Sequence, residues 1–394
     1  MLIASLGGGG AERVASDLSL NLNPNIRRII VTIRNEISYP INKALLSINL
    51  NLTNRNLIDQ RLKYIYSIIV GSIKYRKLIN EYKPNVSLSF LGLDNFINIL
   101  SNIGNKKTKV IVSIHWIPST NLHKSRLERL TRYKTNILYN KADLIISVSK
   151  GIKKELVRDF NINPEKIRVI YNPVDIEKIR HLAMEEVNDE WFEGDLPILI
   201  NMGRLTQAKG QWHLIRSFSK VREIKQCKLV ICGKGELKLY LEKLVRNLDL
   251  TNDVKFLGWQ DNPFKYISKS SIFVSSSIWD ALPCALIEAM TCGCPIIATD
   301  CKYGPSEILE KGKFGILTHP MDGIFYKASD PLTPEENYLA NQIIRLLEDN
   351  ELRKRYSEKA RKRANDFDKK IMKEYEKMIQ QLISGGARER AQMC

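Results

Sequence analysis

Ile198-Leu199-Ile200-Asn201-Met202 is followed at once by Gly203-Arg204-Leu205-Thr206-Gln207-Ala208-Lys209-Gly210. A segment with Leu214, Phe218 and Val221 at helical spacing comes next, and then another apolar run, Lys228–Cys232. Strand, glycine-bounded loop, helix and strand make one βαβ unit. The same alternation extends in both directions. Upstream, the runs are Leu2–Leu6, Arg28–Ile33, Val86–Phe90, Lys109–Ile114, Leu144–Val148 and Arg168–Tyr171. Downstream they are Val254–Leu257, Ile272–Ser275, Pro295–Thr299 and Gly315–Thr318, with Leu237, Leu241, Leu244 and Leu248 marking a helix between two of them. Such repetition predicts parallel sheets covered by helices on both faces, an α/β fold. Twelve runs are too many for one twisted sheet, so two doubly wound, Rossmann-like domains are expected.

The length of 394 residues agrees with two domains. Their join is expected at Asn172–Pro197, where Asn172-Pro173, Gly194 and the acids Glu185, Glu186, Asp189, Glu190, Glu193 and Asp195 read as a linker. This places a first domain at 1–175 and a second at 176–366, with a helix over 368–383 that rejoins the first. The apolar-poor tail 384–394 is expected to fray.

Composition excludes several classes. The chain is 44% hydrophobic and 26% charged, as in globular proteins. The best candidate for a membrane span, Ile65–Ile73 between Lys63 and Lys74, is nine residues long, far short of the roughly 18 required. Leu2–Leu6 ahead of four glycines is shorter than a secretory apolar region. Seven cysteines without a Cys-x-x-Cys pair indicate neither a disulfide framework nor a zinc ribbon. Cys292, Cys294 and Cys301 read as small buried residues of a reduced, cytosolic protein. Charge is uneven: residues 1–175 hold 27 Lys+Arg against 12 Asp+Glu, net +15, whereas the remainder is net +3. The first half is therefore expected to meet an anionic surface, lipid or nucleic acid.

Ligands of open α/β sheets bind beyond the carboxyl ends of the strands. After the first run stands Gly7-Gly8-Gly9-Gly10-Ala11-Glu12-Arg13, a glycine turn leading into a helix; it has neither P-loop nor GxGxxG spacing. Arg204 and Lys209 at the end of Ile198–Met202 suit a diphosphate, one as a bidentate fork and the other as a mobile point charge. In Asp280-Ala281-Leu282-Pro283-Cys284-Ala285-Leu286-Ile287-Glu288-Ala289-Met290, Pro283 is placed to open a helix, leaving Asp280 in the preceding loop. Glu288 falls among apolar positions, where a carboxylate is costly without a partner. If the stretch is helical throughout, the two acids lie about 12 Å apart. That exceeds the roughly 5–9.5 Å of glycosidase carboxyl pairs and suits gripping two ends of one extended ligand.

These stretches occur in a familiar order. With Ala142-Asp143 to Val148-Ser149, Tyr171-Asn172-Pro173-Val174-Asp175, Phe256-Leu257-Gly258, and the segment from Ala298-Thr299-Asp300 to Gly304-Pro305-Ser306-Glu307-Ile308-Leu309, the chain resembles glycosyltransferase family 4 over nearly its whole length. That family comprises retaining nucleotide-sugar transferases of the GT-B fold. The resemblance is nearest to bacterial members that build surface polysaccharides and lipid-linked oligosaccharides. It implies two Rossmann-like domains facing across a cleft, with the C-terminal helix crossing back to the first. Gly9 and Gly10 would line the cleft opposite the donor phosphates, and Arg204 and Lys209 would hold the diphosphate leaving group. Asp280 would contact the donor sugar, Glu288 the ribose hydroxyls, and the backbone of Ala281 and Leu282 the phosphates. The base would pack near Leu257, Gly258 and Trp259. His115, ending Lys109–Ile114, matches the family's histidine beside sugar and acceptor, so His115, Asp280, Arg204 and Lys209 form the expected catalytic set. One departure stands out: Asp280-Ala281 replaces the usual Glu-Gly. The acid is one methylene shorter, and alanine lacks glycine's tolerance of positive φ.

The resemblance further implies no cofactor and no divalent metal, since Arg204, Lys209 and a helix terminus can together offset a departing diphosphate. Asp366-Phe367-Asp368 resembles a metal-binding Asp-x-Asp only superficially and reads as helix capping. The expected partners are a nucleotide-sugar donor, with UDP preferred, and a lipid-linked or saccharide acceptor. The segment Leu122–Lys141 sets Arg126, Arg129 and Arg132 beside a stripe of Leu127, Leu130, Lys134, Ile137 and Leu138, and Arg61–Lys83 is a second basic, tyrosine-bearing stretch. Both fit docking on an anionic membrane, which places the protein in the cytoplasm, peripheral on the inner face of the membrane. A nucleic-acid-binding protein is the rival reading of the basic half, but no RRM, KH or C₂H₂ signature supports it and no nucleic-acid partner is expected. A sugar-nucleotide epimerase of the same fold would not be expected to carry the acid pair together with Arg204 and Lys209.

Overall fold

The computed structural model describes residues 1–52, 59–121 and 126–391, without side chains at 60–61, 120–121, 126–131 and 385–391. The chain divides into two compact units, Met1–Pro173 with Lys370–Cys394, and Val174–Lys369.

The first unit is built on a seven-stranded parallel sheet. Its strands are β1 (Leu2–Ile3), β2 (Ile29–Thr32), β3 (Leu46–Asn49), β4 (Val86–Phe90), β5 (Lys109–Ile114), β6 (Leu144–Ser147) and β7 (Ile167–Val169), in the order β3-β2-β1-β4-β5-β6-β7. Strands such as β6, with Ile145 and Ile146 fully buried, are apolar on both faces, as parallel strands covered by helices must be. Below one face, Ile3, Leu6, Val14, Leu18 and Phe90 pack with Tyr375, Met378 and Ile379 of the C-terminal helix. On the other, Leu2, Val31 and Ile33 pack with Tyr75 and Ile79 of the helix Gln60–Tyr82 and Ile97 of the helix Gly92–Ser101. The C-terminal helix runs Met372–Ala391, so its backbone continues through most of the segment expected to fray.

The second unit contains β8 (Ile198–Met202), β9 (Lys228–Cys232), β10 (Val254–Gly258), β11 (Ile272–Ser275), β12 (Trp279–Asp280), β13 (Ile296–Thr299), β14 (Lys302–Tyr303) and β15 (Ile316–Thr318). Six of them form a parallel sheet in the order β10-β9-β8-β11-β13-β15, and β12 pairs with β14 as a separate parallel ribbon. Trp212, Leu214, Ile215 and Phe218 of the helix Gln211–Ile224 fill its core against Leu199 and Leu229.

Both sheets are doubly wound, as the alternating runs predict. All six runs of the second domain appear as strands, within a residue or two. The first sheet has one strand more than expected. β3 reads Leu46-Ser47-Ile48-Asn49, an edge strand that is mostly solvent-exposed, so it carries no apolar run to detect. In both sheets the strand order reverses beside the first strand of the unit, between β1 and β4 and between β8 and β11. Open α/β sheets bind ligands at that switch point.

Candidate active site

In the second unit the loop after β8 and the loop after β11 meet. The amide of Ile278 donates to the Ala208 carbonyl (2.9 Å), and Ser276 Oγ donates to the Lys209 carbonyl (3.0 Å). Gly210 turns the chain into the helix Gln211–Ile224 at φ +57°, and a Cβ there would strike the Ser276 carbonyl oxygen. Only glycine meets both demands. Docking of these loops brings Lys209 and Asp280, 71 residues apart, into an ion pair with side chains only 21% and 14% exposed. Arg204 is exposed, and among the described residues its guanidinium has no partner. One cation is thus committed to Asp280 while the other stands open to solvent.

Asp280 does not lie in an irregular loop. It belongs to β12, opposite Tyr303 in register, and the helix begins only at Cys284, with Pro283 in the capping position. The stretch from Asp280 to Glu288 is therefore not continuous helix, and the 12 Å spacing does not apply. Ala281 and Leu282 are buried between strand and helix. Ala281 is not at positive φ, so the backbone accepts alanine without strain. Glu288 is 5% exposed, on the buried side of its helix. Gly258 closes β10 at φ +67°, past a register shift, and its carbonyl accepts from the Gly233 amide (2.8 Å). Trp259 follows, 36% exposed, its Nε1 donating to Asp261 Oδ1 (3.2 Å).

Behind this edge lies an ionic cluster that sequence reasoning missed. Glu336 is fully buried and accepts from Arg216 Nε (2.9 Å) and from His213 Nδ1 (2.8 Å). Arg216 also donates to the carbonyls of Lys327, Asp330 and Pro331. Burial pushes the Glu336 carboxyl up, but the hydrogen bonds from His213 and Arg216 and from the Thr333 amide outweigh it and hold the group below its ordinary range. One signal was available: Thr333-Pro-Glu-Glu336 is a capping box, and it opens the helix Pro334–Glu348.

In the first unit the glycine turn after β1 leads into the helix Gly10–Asn21, with Gly9 at the N-cap. A Cβ on Gly9 would run into the Glu12 carboxylate, which folds back over the helix start. His115 follows β5; its Nε2 and Ser113 Oγ are 2.9 Å apart, and among the described residues its buried Nδ1 has no hydrogen-bond partner at standard geometry. Burial lowers its pKa to about 3, partly offset by Asn172, so the ring is neutral near pH 7. At the β1/β4 switch point lies a second residue that sequence reasoning missed. Asp94 is fully buried, accepts the Ala4 amide on Oδ2 (2.8 Å), and leaves Oδ1 without a partner among the described residues. Burial, with Glu12 adding to it, raises its carboxyl well above the usual range. A single acid in a helix with no other charged residue carries no motif, so only its placement reveals it.

The expected basic face is only partly within view. Arg126 and Arg129, like Leu127 and Leu130, lie outside the described side chains, although the helix Arg126–Tyr139 is present. Arg132 departs from expectation. It donates to the Asp159 carbonyl (3.2 Å) and sits 5.5 Å over the Phe160 ring, turned to the protein and not to solvent. Tyr133 and Ile137 are exposed on that helix. Among the described residues no three His, Cys, Asp or Glu side chains gather as metal ligands. Asp366 instead pairs with Arg363 (2.8 Å). Cys292, Cys294 and Cys301 are buried, and burial raises their thiols.

Two doubly wound parallel sheets, each in its own unit, are the two-domain α/β architecture of the GT-B fold class. The sequence pattern of Glycosyltransferase Family 4 matches residues 8–178, and that of glycosyl transferases group 1 matches residues 184–363. An uncharacterized glycosyltransferase of Methanocaldococcus jannaschii is 37% identical over 81% of this chain and 84% of its own. The N-acetylgalactosamine-N,N'-diacetylbacillosaminyl-diphospho-undecaprenol 4-alpha-N-acetylgalactosaminyltransferase of Campylobacter jejuni is 31% identical over 94% and 95%. The chain belongs to this glycosyltransferase family. Among solved structures, Anabaena HepE in complex with UDP and glucose superposes with a TM-score of 0.73 at 19% identity, covering 96% of this chain and 99% of that one.

Proposed function

We propose that the protein transfers a sugar, with retention, from a UDP-sugar to a lipid-linked or saccharide acceptor, without a divalent metal. The observation that carries this reading is the Lys209–Asp280 ion pair beside exposed Arg204 at the β8/β11 switch point. A diphosphate arriving there finds Arg204 open and Lys209 within reach; Asp280, released from the pair, accepts hydrogen bonds from sugar hydroxyls. Glu288 holds the ribose. As the bond from sugar carbon to phosphate oxygen breaks, Arg204 and Lys209 offset the charge on the leaving diphosphate. The acceptor oxygen bonds to that carbon on the same face, and its proton passes to the leaving phosphate. Support for a UDP donor and a lipid-linked acceptor comes from the relatives: HepE was solved with UDP and glucose, and the Campylobacter enzyme is named for an undecaprenol-linked acceptor. The test is UDP release from a panel of UDP- and GDP-sugars, with and without lipid extract. Release from one UDP-sugar that rises with lipid extract is expected; binding of neither UDP nor any nucleotide sugar would reject the reading.

The membrane reading moves to a different helix. Among the described residues no helix is long and apolar enough to cross a membrane. On the helix Gln60–Tyr82, however, Leu62, Ile65, Tyr66, Ile69 and Ile73 are exposed, while Tyr75 and Ile79 are buried. At 100° per residue the exposed set spans about 100° of arc. Exposed Lys77 borders the stripe and exposed Arg76 lies within its arc one turn beyond Ile73, in a domain segment of net charge +15. An apolar stripe with basic flanks suits the interface of an anionic bilayer. Wild-type protein is expected to float with anionic vesicles at low salt and to release as salt rises. A variant carrying Ile65→Ser, Ile69→Ser and Ile73→Ser should lose at least about tenfold in vesicle affinity, from three buried aliphatic side chains, while keeping UDP affinity. Indifference of the wild type to anionic vesicles at low salt would remove this part of the proposal.

A further inference from the structure

Tyr303 adopts φ +81° and ψ −67°. This is the γ-turn conformation, rare and strained for any L-residue and an outlier for a bulky aromatic. Glycine would take it at no steric cost. The surroundings impose it from several sides. Tyr303 stands opposite Asp280 in the β12/β14 ribbon. The next residue, Gly304, is wedged against the preceding loop, where a Cβ would come within 2.5 Å of Pro283 Cδ and 3.0 Å of the Ala281 carbonyl carbon and oxygen. On the other side Lys302 stretches its ammonium over the Tyr303 ring, 5.3 Å from the centroid. Cys301, 1% exposed, and the amide of Asp300, donating to the Thr318 carbonyl (2.8 Å), anchor the strand beneath. Strain that the surroundings over-determine in this way collects at ligand clamps and active sites. Here it falls on the residue paired with the acid that meets Lys209, and the Tyr303 ring is half-buried.

We propose that Tyr303 is a specificity-determining residue for the donor, its ring bounding the space for the pyranose that Asp280 grips, and its backbone holding the β12/β14 ribbon in register. The inference rests on the proposed function and deepens it. A larger or smaller group at 303 changes which hydroxyl or acetamido substituents of the donor sugar fit, while the nucleotide, held elsewhere, is unaffected.

The experiment compares wild type with Tyr303→Gly, Tyr303→Ala and Tyr303→Phe, using UDP alone and a panel of UDP-hexoses and UDP-N-acetylhexosamines. Thermal shift reads the binding, and UDP release reads the turnover. Tyr303→Gly removes the steric strain, so its Tm is expected at or above that of wild type. Its preference for the best donor over the second-best should fall about tenfold or more, with UDP affinity within twofold of wild type. Tyr303→Phe should keep the preference, since ring volume is retained. Wild-type donor preference in both Tyr303→Gly and Tyr303→Ala would overturn the proposal and leave the glycosyltransferase reading intact. A loss of UDP affinity equal to the loss of donor preference would also overturn it, by making the residue a general support of the site. Tyr303→Ala and Tyr303→Leu, which shorten the side chain without the backbone freedom of glycine, carry the comparison should the glycine variant fail to fold. Wild type that binds neither UDP nor any UDP-sugar defeats both readings together.

Discussion

Lys209→Ala is expected to lower sugar transfer by about 10²–10³-fold, the usual loss for one electrostatic stabiliser of a developing charge. Arg204→Ala should cause a similar loss, because both cations face the same leaving group in the proposed reaction. The two variants should nevertheless differ in stability. Arg204 is exposed and makes no contact that the fold depends on, so its removal should leave Tm within about 1 °C, the range of a neutral surface substitution. Lys209 is paired with Asp280 in a largely covered position, and its removal leaves that carboxylate short of a partner. A loss of about 1–3 kcal/mol is expected for Lys209→Ala. Much of it should be recovered in the double variant Lys209→Ala/Asp280→Asn, where no charge is left unpaired. Thermal melts and single-turnover transfer, measured on the three variants, check both halves. Equal stability of the Arg204 and Lys209 variants would show that the ion pair does not help to hold the two loops together.

The second large effect is structural. Arg216→Met should cost roughly 3–5 kcal/mol, because Glu336 would be left buried with its charge uncompensated. In a domain of this size that corresponds to a Tm lower by about 10 °C. Glu336→Gln should cost less, since the amide keeps a hydrogen bond and carries no charge to strand. The pH dependence has a defined sign. The folded-state pKa of Glu336 lies below its ordinary value of 4.5, so the carboxylate's contribution is complete above about pH 4.5 and is lost as pH falls through the lower folded value. The stability gap between wild type and Glu336→Gln should therefore narrow as the solution is acidified below pH 4.5. Urea melts at pH 7, 5 and 3.5 measure it. A gap that is constant with pH would mean that the Glu336 carboxyl has the same pKa in the folded and unfolded chain.

The loops that form the site could be located in the sequence, but their partnerships could not. Arg204, Lys209 and Asp280 were legible because each follows an apolar run, and strand ends are where open sheets bind ligands. The helix start at Cys284 was misplaced by one residue of proline logic, since Pro283 takes the capping position. β3 escaped because an exposed edge strand leaves no run of buried side chains. Arg132 was counted with the basic face on charge alone, yet its guanidinium is turned to the Asp159 carbonyl and the Phe160 ring. Asp94 and the cluster of His213, Arg216 and Glu336 were invisible, since the partners of a buried charge lie far away along the chain.

By itself the sequence determined two doubly wound α/β domains, the placing of helices between strands, and the glycine-bounded loops at the strand ends. All of these follow from periods of two and 3.6 residues and from turn and capping residues, whose effects reach only a few positions along the chain. Tertiary structure alone decided that Lys209 meets Asp280, that Tyr303 is strained opposite that acid, that Asp94 loses contact with water, and that Ala281 needs no positive φ. Each depends on which strands become neighbours and how closely their loops approach. That is settled by the packing of residues some 20 to 120 positions apart in sequence, and no local period records it.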